Sequence, residues 1–293
     1  MQAALFSTQR TKHIMVSNRS NLNYRFSQYK LVLLPLIVIL LGLFVSSQPS
    51  QAAPLGVVTT TPFSIDVISK IIASDIEKQD WFGYSIALNG DTLAIGAEKD
   101  DDIGYDTGAV YVYTRSGNTW SLQQKLTASD GATGFGFGTS VALSGDTLAV
   151  GMPYSSTGFG GAYIFTRSAG VWTEQVKIVP SDTTNGDYFG YDVALSNNTL
   201  VVGAFYASNG VYQTGAAYIY TNSGATWGSE QKLLASDAEE YMMFGRSVAI
   251  AGDRIAVGAI RASDPSGNAG AVYVFANSAG TWAEQQKLQE TSG

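Results

Sequence analysis

The densest cluster of possible metal ligands is a short acidic segment, Asp100-Asp101-Asp102-Ile103-Gly104-Tyr105-Asp106. Carboxylates at alternate positions next to a glycine suit an oxygen-only site for a hard cation. The segment therefore predicts a calcium site with Asp100, Asp102 and Asp106 as ligands. The full EF-hand pattern is absent, so a solvated acidic loop is the alternative. No other cofactor is expected.

Aromatic residues in polar loops are a second kind of candidate. Aromatic rings present large, rigid apolar surfaces on which other flat groups pack. We expect the loop aromatics to lie on a ligand-binding face and to stack on sugars; they are Tyr105, Tyr154, Phe159, Tyr206 and Tyr212.

The composition excludes most familiar catalytic chemistry. The chain has no Cys and a single His, His13. Ser-His-Asp and Cys-His catalysis and thiolate metal sites therefore have no side chains to use. A glycosidase built on two carboxylates needs neither residue and stays open, although no carboxylate pair is expected in an apolar setting. No catalytic residue is predicted, and the acidic balance argues against nucleic acid as a partner.

The N-terminal 52 residues resemble an export signal. Residues 1–30 contain five basic residues and no acid, an apolar run follows at 31–45, and Ser50 and Ala52 suit cleavage after Ala52. The chain is thus expected to be secreted or at the cell surface. The alternative is an uncleaved membrane anchor at 31–46, which would be the only membrane contact. Residues 53–63 are interpreted as a linker, and the segment beyond 52 carries a net charge of −12.

An internal repeat of about 54 residues organises everything after the linker. Phe-Gly recurs at Phe82, Phe137, Phe189 and Phe244, at intervals of 55, 52 and 55 residues. The other markers keep step with it: Gly96, Gly151, Gly203 and Gly258; Gly108, Gly161, Gly215 and Gly270, each before Ala; and Trp120, Trp172, Trp227 and Trp282.

Each repeat is predicted to form four short strands. In the first repeat they are 82–88, 92–97, 109–114 and 120–126, where apolar and polar residues alternate. Links such as Asn89-Gly90-Asp91 suit tight hairpin turns. Four-stranded units at this period indicate an all-β propeller over 64–293, with antiparallel blades near 76–127, 131–179, 183–234 and 238–289.

At these markers the chain resembles the FG-GAP repeats of integrin α-subunit propellers and of secreted bacterial proteins. The resemblance implies adhesion or ligand recognition rather than catalysis. Integrin-type blades often carry a calcium loop between their first two strands, but here that link is a tight turn. FG-GAP-like propellers also accompany catalytic domains, so an accessory or catalytic module of a carbohydrate-active enzyme is an alternative.

The number of blades stays open. Strands one to three occur four times, but strand four occurs five times, because 64–72 and 281–288 both match it. The chain is therefore a small closed ring with a spare strand or a partial propeller, and the family usually has seven blades. An arc would leave apolar faces uncovered, so self-association is a further partner alternative.

Loop positions suggest where a ligand binds. The links between strands two and three and between repeats emerge on one face, which we call the loop face. It carries 15 of the 24 acidic residues by our assignment. The sequence thus predicts a non-enzymatic binding scaffold for an extracellular protein or glycan, or a self-associating structural arc.

Overall fold

The computed structural model describes residues 70–75, 77–154, 159–224, 226–264 and 267–290. These residues contain β-strands and no helix. The leader, the linker and most of the spare strand at 64–72 lie outside the described residues, and the described part, 70–72, has no strand assignment.

Four antiparallel four-stranded sheets make up the fold. The first consists of β1 (Phe82–Asn89), β2 (Thr92–Ala97), β3 (Ala109–Ser116) and β4 (Thr119–Leu126). The second consists of β5 (Ser140–Ser144), β6 (Thr147–Met152), β7 (Gly161–Ser168) and β8 (Val171–Ile178). The third consists of β9 (Val193–Ser196), β10 (Thr199–Ala204), β11 (Ala216–Asn222) and β12 (Trp227–Leu233).

The fourth sheet consists of β13 (Phe244–Ala251), β14 (Arg254–Ala259), β17 (Ala271–Ser278) and β18 (Thr281–Leu288). A separate two-stranded ribbon, β15 (Ser263–Asp264) with β16 (Gly267–Asn268), lies in the connection between β14 and β17. The strands pair in chain order within each sheet, so the predicted all-β propeller of four blades is confirmed.

The tight turns follow from residues that tolerate positive φ. Asn89 pairs with Thr92, which leaves a two-residue turn in which Gly90 has φ 58°. Asn197 takes the same position in the third sheet with φ 50°. Such turns match the twist of the strands they join. They leave no space for a calcium loop between the first two strands of a sheet.

Packing between consecutive sheets forms the core. Phe137, Phe189 and Phe244 are fully buried. Each packs between the sheet of its own repeat and the preceding sheet. Trp172 and Trp282 are buried in the same clusters. The phenylalanine of the Phe-Gly marker thus packs at the interface between one blade and the previous one.

Glycine is obligatory where two backbones meet. A Cβ on Gly151 would lie 2.1 Å from the carbonyl oxygen of Gly190, and one on Gly203 would lie 2.0 Å from that of Gly245. The glycine that precedes the third strand behaves alike: Gly108, Gly160 and Gly215 each approach the carbonyl oxygen of the next sheet's phenylalanine. In the second repeat this residue is Gly160 and not Gly161 as expected, because Gly161 already pairs with Met152 in the sheet.

The outer face of the fourth sheet lacks these contacts. Val110 and Leu126 of the first sheet are buried, whereas their counterparts Val272 and Leu288 are 39% and 46% exposed. A Cβ on Gly258 would meet only Ser247 of its own sheet. The described sheets therefore form the partial propeller rather than a closed ring.

Candidate functional site

A cleft opens on the loop face between the first and second sheets. It has a volume of about 300 Å³, and we call it the acidic cleft; its lining residues are Trp81, Tyr84, Glu98, Lys99, Asp106, Gly134, Gly136 and Tyr154. Trp81 and Tyr84 belong to the start of the first sheet, and Glu98 and Lys99 follow β2 directly. Gly136 precedes the Phe-Gly pair of the second sheet, and Tyr154 follows β6.

One lining residue of the cleft, Gly136, stands at a conformationally special position. The residue before Phe-Gly has positive φ in every repeat, and it is Trp81, Gly136, Tyr188 or Met243. Left-handed backbone is unfavourable for side chains other than glycine. In the second repeat Gly136 removes this strain and allows the Tyr154 ring to approach the backbone. A Cβ there would lie 2.8 Å from Cδ2 of Tyr154.

Aromatic rings form the walls of the acidic cleft. The rings of Trp81 and Tyr84 stack with centroids 5.8 Å apart and an interplanar angle of 15°. The ammonium of Lys99 lies 4.6 Å from the Trp81 ring centroid and 3.2 Å from Oδ2 of Asp106. The cleft thus already holds one ammonium between an aromatic face and a carboxylate, an arrangement that is attractive for cations in general.

Glu98 is the buried acid of the cleft. Its side chain is 5% exposed, and its Oε2 accepts a hydrogen bond of 3.0 Å from the hydroxyl of Thr139. The other carboxylate oxygen accepts no hydrogen bond within the described ranges, where Glu98 also has no salt bridge. Burial raises the pKa of Glu98 above its ordinary value, against the lowering effects of Thr139 and Lys99.

This environment corrects one expectation. We expected no carboxylate pair in an apolar setting, but Glu98 and Asp106 line the same cleft and one of them has a raised pKa. Burial also raises the pKa of Tyr154 to about 12, with the Glu98 charge as the next contribution. The cleft can therefore hold a proton on Glu98 or stabilise a bound cation there.

A belt of aromatic residues continues from the cleft across the loop face. Tyr154 contacts Tyr188 edge-on at 5.5 Å, and Tyr188 contacts Tyr206 at 5.2 Å. Phe205 stacks on Tyr188 and lies 4.6 Å from Tyr191. Arg246 of the fourth sheet lies 4.0 Å from the Tyr191 centroid.

The loop aromatics predicted from the sequence as ligand-binding residues lie in different places in the structure. Tyr154 lines the cleft and Tyr206 joins the belt. Tyr212 contacts Tyr241 at 5.4 Å and lines a separate pocket with Tyr188 and Tyr206. Tyr105 is 69% exposed on its own loop, and Phe159 is 40% exposed.

The predicted calcium ligands are paired with lysines. Lys125 forms salt bridges with Asp100 at 2.8 Å and with Asp102, and the buried Asp100 also accepts a hydrogen bond from the Tyr111 hydroxyl. Asp106 pairs with Lys99 instead. The described part of the chain has no group of three or more acidic side chains arranged to hold a metal ion. The geometry gives the predicted calcium site no support.

Lysines of the fourth strand neutralise much of the loop face. The first aspartate after each repeat's Lys-Leu or Lys-Ile pair contacts the lysine of the next repeat, in the pairs Asp130–Lys177, Asp182–Lys232 and Asp237–Lys287 at 2.6–2.8 Å. The same aspartates accept hydrogen bonds from buried tyrosines, Tyr163, Tyr218 and Tyr273. The loop face is therefore less negative than the count of acids predicted, because these lysines reach it.

Sequence reasoning missed Trp81, Tyr84 and Glu98. A comparison of the four residues before Phe-Gly would have pointed to Gly136 as the exception among Trp, Tyr and Met. Nothing in the sequence indicates that Glu98 is buried, since it follows a strand and precedes an acidic loop.

The comparisons with known proteins agree with the repeat. The FG-GAP repeat model matches residues 66–113, 120–165, 172–220 and 227–275. Integrin alpha-6 of Gallus gallus is 34% identical over 131 residues, which is 39% of this chain and 12% of that protein. The chain thus spans about an eighth of the length of this relative.

A crystal structure of TolB from Acinetobacter baumannii shows a weaker likeness. It has a TM-score of 0.40 and 14% sequence identity, and the match covers 68% of this chain and 42% of that one. In the described ranges, no helix is long and apolar enough to cross a membrane.

Proposed function

The chain belongs to the FG-GAP repeat family, and we propose on that premise that it is an exported, non-enzymatic binding protein whose acidic cleft holds one sugar unit of a glycan. The FG-GAP propeller is a general ligand-binding scaffold, and fold alone does not name the ligand. The observation that carries the proposal is the cleft itself, about 300 Å³ in volume with aromatic walls and a few polar groups. Small-molecule sites commonly combine these features.

The position of the cleft supports recognition rather than packing. It lies on the loop face, where a rigid sheet scaffold presents variable residues to a partner. The residues equivalent to Gly136 at the other two sheet boundaries are Tyr188 and Met243. An extracellular location rests on the sequence pattern of residues 1–52.

Binding to a glycan array tests the function, with Gly136→Tyr as the variant that fills the cleft. We expect the array signal of the intact chain to be lost in this variant. Tyr212→Ala, on the same face but outside the cleft, is the control and should retain it. A signal unchanged by Gly136→Tyr, or no glycan binding at all, would contradict the proposal.

A second candidate function follows from the two carboxylates of the cleft. Glycoside hydrolysis uses a pair of carboxyl groups, and Glu98, whose pKa is raised by burial, lines the same cleft as Asp106. Glycans that bind are therefore incubated with the chain and with Glu98→Gln. Product that forms only with the unaltered chain would make the protein a glycosidase.

A further inference from the structure

We propose that the sugar held in the acidic cleft carries a free ammonium group, as in an oligosaccharide of glucosamine, and that Glu98 is the residue that pairs with it. This inference rests on the proposed function, because it names the chemistry of the ligand at the same cleft. It depends on two separate observations, the unpaired carboxylate oxygen of Glu98 and the position of Lys99.

The buried carboxylate is the first observation. Burying an ionised group without a partner costs free energy, and burial raises the pKa of Glu98 accordingly. Thr139 satisfies only one of its oxygens. A bound ammonium would add a positive charge beside the carboxylate and donate hydrogen bonds to its other oxygen.

The position of Lys99 is the second observation. Its ammonium lies against the Trp81 ring and pairs with Asp106. The same walls, with Tyr84 and Tyr154, surround the space beside Glu98. The cleft therefore already holds one ammonium, through the attraction between cations and aromatic faces. Glu98 lines the same cleft, and among the described residues no lysine or arginine forms a salt bridge with its carboxylate.

A sugar is favoured over a lysine side chain by the shape of the cleft. Its volume of about 300 Å³ lies at the lower end of small-molecule sites, and its walls are broad rings. Stacked rings such as Trp81 and Tyr84 suit the flat face of a pyranose. A lysine-containing peptide would place a thin alkyl stem there, so its binding is an outcome that the test distinguishes.

The test is titration calorimetry at pH 7 and physiological salt with two matched probes, glucosamine oligomers and the same oligomers N-acetylated. The acetyl group removes the ammonium and leaves the sugar. We expect the glucosamine oligomer to bind at least about tenfold more tightly, equivalent to about 1.4 kcal/mol. Tetramethylammonium, whose charge does not titrate, should compete with it.

Variants separate the local site from the general negative charge. Glu98→Gln should weaken glucosamine binding by about tenfold or more, whereas Glu240→Gln, an exposed acid of the loop face, should leave it unchanged. Lys99→Met removes the resident ammonium and should strengthen binding by about tenfold, since the Trp81 face and Asp106 become available. A purely structural role of Lys99 would predict no gain.

Each result is decisive. Equal binding of both oligomers, with sensitivity to Gly136→Tyr, would retain the proposed function and overturn the ammonium inference. Binding of a lysine peptide without binding of glucosamine would overturn the sugar as the source of the ammonium. Absence of all glycan binding would overturn both proposals.

Discussion

The boundary between the first and second sheets and the boundary between the second and third sheets are built from the same repeat but differ at their rims. Both contain a fully buried phenylalanine, Phe137 or Phe189. At the first boundary Gly136 and Glu98 line an open acidic cleft, whereas at the second Tyr188 makes aromatic contacts with Tyr154 and Phe205. The buried phenylalanine at the boundary between two blades therefore recurs with the repeat, whereas the residues at the edge of the boundary on the loop face vary.

The largest expected effect tests the shared core. Phe137→Ala and Phe189→Ala should each lower the free energy of unfolding by about 3–5 kcal/mol, because each removes a fully buried ring. Phe82→Ala should cost less, since Phe82 lies half-buried on the outer face of the first sheet. Urea unfolding measures all three. A clear difference between the first two variants would show that the boundaries do not share one core.

A smaller effect tests the open rim. Gly136→Ala introduces a side chain at φ +65° and forces the Tyr154 ring to move. We expect a loss of about 1–2 kcal/mol in urea unfolding, with a changed near-ultraviolet circular dichroism signal. Gly186→Ala is the matched control, because it has φ +91° with no atom within 4 Å of the new Cβ. Equal spectra for the two variants would argue that Tyr154 does not depend on Gly136.

The next effect concerns the acid of the cleft. The folded pKa of Glu98 lies above its unfolded value, so the folded chain binds more protons and becomes more stable as pH falls through the raised pKa. At pH 7 the ionised group is destabilising. Glu98→Gln should therefore raise the melting temperature by roughly 2–4 °C.

This gain should shrink as the pH is lowered, because Glu98 then becomes neutral in the unaltered chain as well. Thermal unfolding from pH 7.5 to pH 4.5 measures it. A gain that is constant with pH would show that burial of charge is not its cause.

The smallest effect tests the ion pairs that recur at each boundary. Burial acts to raise the pKa of Asp130, but hydrogen bonds from Lys177 and Tyr163 lower it overall. The stability this gives is present above the ordinary pKa of aspartate and is lost as pH falls through the lowered value. Because Asp130 is 52% exposed, Lys177→Met should cost less than about 1 kcal/mol, and less still at high salt.

Much of the fold could be predicted from the sequence. The strands at 92–97 and 281–288 have the predicted bounds, and those predicted at 82–88, 109–114 and 120–126 differ by one or two residues at an end, whereas the described part of the strand predicted at 64–72 has no strand assignment. The reason is physical, because the alternation of apolar residues and the glycines at tight turns are local constraints on the backbone. The same constraints recur in each of the four repeats. The marker at Gly161 was displaced by one residue, because a glycine pair in the chain leaves the sheet register undetermined.

The candidate site could be predicted only in part. Tyr154 was identified, but the acids chosen as metal ligands are divided between Lys99 and Lys125. These lysines are 7 and 25 residues from the paired Asp106 and Asp100. Pairing across strands depends on which side chains reach the same face, and the spacing of carboxylates along the chain does not contain that information.

The sequence by itself determined the repeat, the four-stranded unit, the family and the residues that pack between consecutive blades. Each of these depends on local geometry that is repeated along the chain. Only the tertiary structure decided that the outer face of the fourth sheet is partly exposed, that lysines neutralise the acidic loops and that Gly136 lies in a cleft beside Glu98. Burial and charge pairing depend on neighbours from other repeats, and those neighbours meet only when the sheets pack.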